Sequence, residues 1–269
     1  MIMQNHAGRR PQTPADWRAS PEERRSWLLE RLHQDGRLVA VRLARELDTS
    51  EDTVRRDLRE LAAAGLVQRV HGGALPPSPA LLPLATRRER GAEAKEQLAI
   101  AALNLIHDGQ VLLLDGGTTN LALARRLPPA LRLTVITPSP AIALALAEHA
   151  GAEVVLLGGR LDRASQTVVG ASALAAVGSV RADLCILGVC SLAAEVGVSV
   201  AGYEEAELKR TMAAGARVVA ALLTADKLGT AAPFVVGPPE MLHHVVTERA
   251  VSEALIAGLS SHGIAFHHA

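Results

Sequence analysis

A strand-like run, Val111-Leu112-Leu113-Leu114-Asp115, leads directly into Gly116-Gly117-Thr118-Thr119-Asn120 and then into a helical pattern. Glycines let backbone N–H groups approach an anion, two threonine hydroxyls add donors, and a helix starting there turns its positive end to the same point. That is the chemistry of a phosphate cradle. The same short turn also serves as a plain connection in α/β domains, and it is neither G-x-G-x-x-G nor a P-loop, because Gly-Lys-Ser/Thr is missing. Lysine supplies a second signal: the chain holds three, Lys95, Lys209 and Lys227, against twenty-five arginines. Lys227 follows Asp226 after an aliphatic run, where a compact ammonium can meet an anionic or carbonyl-bearing ligand. Other aliphatic runs end in Thr137-Pro138-Ser139, Gly158-Gly159-Arg160 and Gly188-Val189-Cys190-Ser191. In a parallel sheet such carboxyl ends can converge, which would gather Asp115, Gly116, Gly117, Thr118, Thr119, Thr137, Gly159 and Lys227 round one site. Lys209 stands four and five residues after Glu205 and Glu204, a spacing that also suits a surface ion pair on a helix.

A second constellation lies nearer the N-terminus. Ser50 can cap a helix whose Glu51 and Asp52 sit favourably in its first turn. Val54, Leu58 and Leu61 make its buried stripe, and Thr53, Arg55, Arg56 and Arg59 fall on the other side. Arginine bonds guanine O6 and N7 in pairs, and threonine can meet a phosphate or a thymine methyl, so this face suits a DNA major groove. Glu51, Asp52, Asp57 and Glu60 could instead neutralise the arginines on a solvated helix.

The elements needed to position these groups are legible around them. Ser20-Pro21-Glu22-Glu23 starts a helix that shows Trp27, Leu28 and Leu32 on one face up to Gly36. A second helix, Val41 to Leu47, and the turn Asp48-Thr49-Ser50 precede the arginine-bearing helix, which Gly65 ends. Leu66 to Val70 then turns at His71-Gly72-Gly73 like a wing. The four prolines of PPSPALLPL read as a linker. Beyond it, strands are expected at Val111–Leu114, Leu133–Thr137, Glu153–Leu157, Leu184–Leu187, Val218–Leu222 and His244–Thr247. Helices are expected between them at 94–107, 119–127, 139–149, 171–178, 203–214 and 249–258. Continuous apolar strands alternating with helices imply a mainly parallel sheet covered on both faces. The expected organisation is a loose tail over 1–19, a DNA-binding domain over 20–75, a linker over 76–92 and a second domain over 93–269.

Composition bounds the function. The 269 residues are 49% hydrophobic but 2% aromatic, so the core must be aliphatic, and basic and acidic residues balance at 28 each. Residues 1–75 carry thirteen arginines against eleven acids, a weak positive bias. Cys185 and Cys190 are too few for a disulfide framework and suit a reducing cytoplasm; five residues apart in a strand and turn, they are poor metal ligands. No uninterrupted membrane span and no apolar leader are expected, and the His-rich end, HGIAFHHA, reads as a frayed or edge segment.

The stretch VRLARELDTSEDTVRRDLRELAAAGLVQRVHGGAL closely resembles the N-terminal signature of the DeoR family of bacterial transcriptional regulators, S-x-x-T-[VI]-R-R-D-L-x-x-L followed by G-x-[LV]-x-R-x-H-G-G-A. The resemblance implies a winged helix-turn-helix on operator DNA, with Ser50, Thr53, Arg55 and Arg56 at the DNA and Arg69, His71 and Gly72 in the wing. Arg59 shares the exposed helix face. It continues through Lys95, LLLDGGTTN, TVIT, the Gly-Gly after a strand, Glu-x-x-Leu-Lys-Arg and Asp-Lys, which resemble the family's effector domain, similar in turn to the sugar-phosphate isomerase fold. The implied fold class is α/β: a winged helix-turn-helix followed by a mainly parallel-sheet sensor domain, with Lys209 added to the effector site. Implied partners are operator DNA, a phosphorylated sugar effector and further copies of the chain; no cofactor, metal or catalytic residue is implied. Three departures stand out: Gly188-Val189-Cys190-Ser191 replaces Gly-x-Asp-Gly, Thr137-Pro138 replaces Thr-Asn, and Thr247-Glu248 replaces Thr-Asp. The acid missing at Cys190 weakens a sugar-hydroxyl contact there. It also weakens the competing reading, a sugar-phosphate isomerase with an accessory domain, which needs a carboxylate base.

Overall fold

The computed structural model describes residues 20–269; the tail expected over 1–19 lies outside the described residues. The chain divides between Pro76 and Pro77 into two compact units.

In the first unit, α1 (Pro21–Asp35) starts in a capping box between Ser20 and Glu23 and stops at Gly36 in the left-handed conformation. A short strand β1 (Leu38–Val39), α2 (Ala40–Glu46) and α3 (Glu51–Ala63) follow. Ser50 Oγ accepts the Thr53 N–H at 3.1 Å and caps α3. Strands β2 (Gln68–Val70) and β3 (Gly73–Leu75) form the expected hairpin, and β1 pairs with the far side of β3. That third strand constrains Gly73, where a Cβ would fall 1.8 Å from Leu38 O. Leu28, Leu32, Leu43, Val54, Leu58 and Leu61 close one apolar core. Asp57, grouped by its sequence neighbours with the charged face, is buried instead, and Arg24 of α1 forms an ion pair with it.

Residues 76–92, expected as a linker, carry regular structure: a 3-10 turn at Pro79–Leu81 and α4 (Leu84–Glu89), which starts behind Pro83 where proline costs no helical hydrogen bond. The second unit then alternates α5 (Ala92–Ala102), β4 (Val111–Leu114), α6 (Thr118–Arg126), β5 (Leu133–Thr137), α7 (Pro140–Leu146) and β6 (Ala152–Leu156). After the small hairpin β7 (Arg160–Asp162) and β8 (Thr167–Val169) come α8 (Ala171–Gly178), β9 (Ala182–Leu187), β10 (Ser191–Ala193), β11 (Gly197–Val200) and α9 (Tyr203–Ala214). The chain ends in β12 (Ala216–Leu223), β13 (Phe234–Gly237), β14 (His244–Thr247), α10 (Glu253–Ser260) and β15 (Ala265–His268). The last helix begins four residues later than expected, behind Ser252, and the His-rich end is a parallel edge strand on β14.

Seven parallel strands run in the order β15-β14-β12-β9-β4-β5-β6. Side chains alternate across this sheet, as the two-residue period of a strand requires. Leu112, Leu114, Leu184 and Ile186 pack with α5, α6 and α7 on one face. Leu113, Cys185, Leu187 and Val219 pack with α8, α9 and α10 on the other. From β4 the chain runs to β5 and β6 on one side, then crosses to β9 on the other. The switch between β4 and β9 opens a crevice at their carboxyl ends.

Candidate functional site

That crevice is the cleft into which the Gly-Gly-Thr-Thr turn opens. Asp115 directly follows β4 and is 1% exposed. Its carboxylate accepts the N–H groups of Gly116 at 2.7 Å and Gly188 at 2.8 Å and forms an ion pair with Lys209. Asn120 Nδ2 donates to Asp115 O at 3.0 Å and Ile186 O at 3.2 Å, so one side chain ties both strand ends together. The loops pass so closely that a Cβ on Gly188 would lie 2.2 Å from Gly116 O. Gly117, at φ +119, releases the chain into α6, whose N-terminus no side chain caps. Its first-turn N–H groups and positive helix end face the cleft.

All three lysines of the chain reach this cleft, which Gly116, Gly117, Thr118 and Thr119 also line. Lys209, which the family resemblance adds to the effector site and whose spacing also suits a surface pair, is 3% exposed; it bonds Asp115 and lies 3.3 Å from Glu205. Glu204 instead pairs with Arg160 on the surface. Burial opposes the Lys209 charge, yet the Asp115 and Glu205 carboxylates hold its pKa above the ordinary lysine value. Lys227 Nζ donates to Val189 O at 3.0 Å, and Lys95 Nζ donates to Arg87 O and Arg90 O. Burial pushes both of these ammonium groups below the usual lysine range, and at Lys95 repulsion from Lys227 adds to it. A buried Lys95 and a half-buried Lys227, neither bonded to a carboxylate, make a site short of negative charge.

Thr119 Oγ1 is buried and has no hydrogen-bond partner. Sequence reasoning missed Arg87, Arg90, Asn120, Ser165, Thr167, Glu205 and Asp226 among the lining residues. The lysine scarcity that singled out Lys227 also pointed to Lys95. Thr137 and Gly159 are not brought to the cleft. Thr137 is fully buried at the end of β5, its Oγ1 accepting the Ser139 N–H at 3.1 Å, and Gly159 packs against Val169 O. Asp115 lies beneath the cleft rather than in its wall.

In the first unit, the expected face of α3 is open. Arg55 is engaged by Glu51 at 2.6 Å and Asp52 at 3.7 Å. Glu60 turns to Arg25 and Asp57 to Arg24, so neither neutralises that face. Among the described residues no acid pairs with Arg56, Arg59 or Arg69, and all three are exposed. Ser50 and Thr53 hydroxyls meet at 2.9 Å at the start of the helix, while Arg69 is exposed on β2 and His71 and Gly72 occupy the exposed hairpin tip. Among the described residues no three His, Cys, Asp or Glu form a metal-binding group, and no helix is long and apolar enough to cross a membrane.

A winged helix with an arginine-bearing face, followed by an α/β unit with a cation-lined cleft, defines a DNA-binding transcriptional regulator with a sensor domain. The chain belongs to the DeoR family: residues 24–79 match the DeoR-like helix-turn-helix domain and residues 90–249 the DeoR C terminal sensor domain. It is 31% identical over 246 residues to the HTH-type transcriptional regulator GolR of Listeria innocua, across 91% of this chain and 97% of that one. It is 29% identical over 243 residues to the glycerol-3-phosphate regulon repressor of Escherichia coli, across 90% and 96% of the two chains. Among solved structures, ribose 5-phosphate isomerase A of Methanocaldococcus jannaschii aligns over 51% of this chain and 54% of its own, at 16% identity and a TM-score of 0.38. The family is one of regulators, so the isomerase reading of the second unit falls away.

Proposed function

We propose that the protein represses genes of sugar metabolism and that a phosphorylated sugar in the cleft changes its hold on operator DNA. The observation that carries this is Thr119 Oγ1: a buried hydroxyl without a partner, in the first turn of an uncapped helix, within a cleft shared by three lysines. A phosphate there would accept from the first-turn N–H groups and from Thr118 and Thr119, and its charge would answer Lys95 and Lys227. Gly116 and Gly117 allow the close approach, and Asp115 and Lys209 hold the loops beneath. The name of the glycerol-3-phosphate regulon repressor supports repression of genes concerned with a phosphorylated metabolite.

On DNA, Arg56 and Arg59 are the base-reading candidates, with Ser50, Thr53 and Arg55 at the groove edge and Arg69, His71 and Gly72 at the backbone or minor groove. One recognition helix reads only a few base pairs, so the working form is a cytoplasmic homo-oligomer held mainly by residues 93–269. Residues 20–75 form its DNA-binding domain.

Calorimetric titration with a panel of sugar phosphates and their dephosphorylated forms tests the cleft. The phosphorylated ligand is expected to bind at least tenfold more tightly, about 1.4 kcal/mol. Equal affinity for both forms overturns the reading.

A further inference from the structure

Helix α4 has no fully buried side chain, and its one half-buried apolar residue is Leu84, so little apolar packing fixes it. Its attachments are polar and gather at the cleft. The Lys95 ammonium donates to the carbonyls of Arg87 and Arg90. Arg87 Nη2 donates to Ala164 O at 2.6 Å, in the turn between β7 and β8, and its Nε donates to Leu82 O at 3.0 Å. Arg90 Nε lies 3.2 Å from Asp226. The chain just before α4 is seated differently. Ser78 is buried, with Oγ donating to Cys190 O at 2.8 Å and its N–H to Ala231 O at 3.0 Å. A fixed start therefore runs into a helix held by hydrogen bonds and charge.

Most of the charges gathered at this contact are positive. Arg87, Arg90, Lys95 and Lys227 all line the cleft, and Lys227 and both arginines weigh against the Lys95 charge. Asp226 offsets part of this, while Asp115 and Glu205 are taken up by Lys209. Within the chain, the arginines of α4 meet repulsion from Lys95 and Lys227 that the Arg90–Asp226 pair offsets in part. An anion at the start of α6 reverses that sign, since each of the four cations then gains by closing on it.

We propose that residues 82–91 form an electrostatic strap: an anion in the cleft draws Arg87 and Arg90 inward and tightens α4 over the ligand. Segments with few buried contacts are the ones whose opening free energy a ligand can shift. The proposal rests on the anion reading of the cleft given above.

Hydrogen–deuterium exchange on the full chain, with and without saturating inorganic phosphate, tests it, with calorimetry on the same samples. Exchange across 82–91 is expected to slow by about fivefold or more, the low end of measured site couplings, while α10 is unchanged. Phosphate that binds by calorimetry yet leaves 82–91 unchanged or faster overturns the strap and spares the cleft. Phosphate that fails to bind overturns the cleft reading, and the strap with it. In Arg90→Gln, 82–91 is expected to exchange faster without phosphate, because the Asp226 bond is lost, and to slow less with it, because one cation fewer is drawn to the anion. Wild-type behaviour in both respects also overturns the strap.

Discussion

Replacing Thr119 with valine separates a ligand-binding hydroxyl from a structural one by the sign of two effects. Thr119 is 4% exposed, and its hydroxyl oxygen makes no hydrogen bond within the chain. Valine keeps the branched shape, so packing around it is preserved. A buried hydroxyl without a partner costs roughly 1–3 kcal/mol, and removing it returns part of that. Thr119→Val is therefore expected to raise stability by up to about 1 kcal/mol, or roughly 2–4 °C in Tm for a domain of this size. Effector binding moves the other way. A hydroxyl bonded to a phosphate dianion contributes about 1.5–3 kcal/mol, so the dissociation constant should rise roughly 10- to 150-fold. Thermal unfolding without ligand and calorimetry with the best sugar phosphate measure the two. A variant that is less stable and binds as tightly as the wild type would refute the argument, because Thr119 would then be holding the fold and not the ligand.

Arg56→Ala should weaken specific operator binding by about 1–3 kcal/mol in a gel-shift titration, and Arg55→Ala by less, since Arg55 is already paired with Glu51. Equal losses would mean that the Glu51 pairing does not survive on DNA. Lys209→Met should lower unfolding stability in urea by about 3–5 kcal/mol, because it leaves Asp115 and Glu205 buried without their cation. Adding Asp115→Asn should recover part of that loss, and an unchanged urea midpoint for the single variant would show that the buried pair contributes nothing.

Local physics made much of this molecule readable before its fold was known. The Ser50 cap and the Val54, Leu58 and Leu61 stripe define α3 through contacts no more than a few turns apart, and they appear in the structure as read. Val111–Leu114, Leu133–Thr137 and His244–Thr247 coincide with β4, β5 and β14, because strands buried on both faces must be continuously apolar. The Gly-Gly-Thr-Thr turn was visible for the same reason, its parts being adjacent in the chain. Shorter elements escaped. Strands β10, β11 and β13 have three or four residues each, too few for a period to show, and they exist because they pair with one another across the chain.

Tertiary structure alone decided which polar strand ends would meet. Thr137 and Gly159 follow aliphatic runs as Asp115 and Gly188 do, and nothing local tells them apart. The crevice forms only where the strand order reverses, between β4 and β9, so the ends of those strands frame the cleft while Thr137 and Gly159 remain outside it. The environments of the charges were decided in the same way. Asp57 reads as part of a solvated face until α1 brings Arg24 against it, and Lys209 reads as a surface residue until β4 places Asp115 within reach. Residue types and spacings set the local conformation and the chemistry available. Burial, and with it the strength of every charge interaction in the cleft, depends on which distant segments pack together, and that is a property of the whole fold.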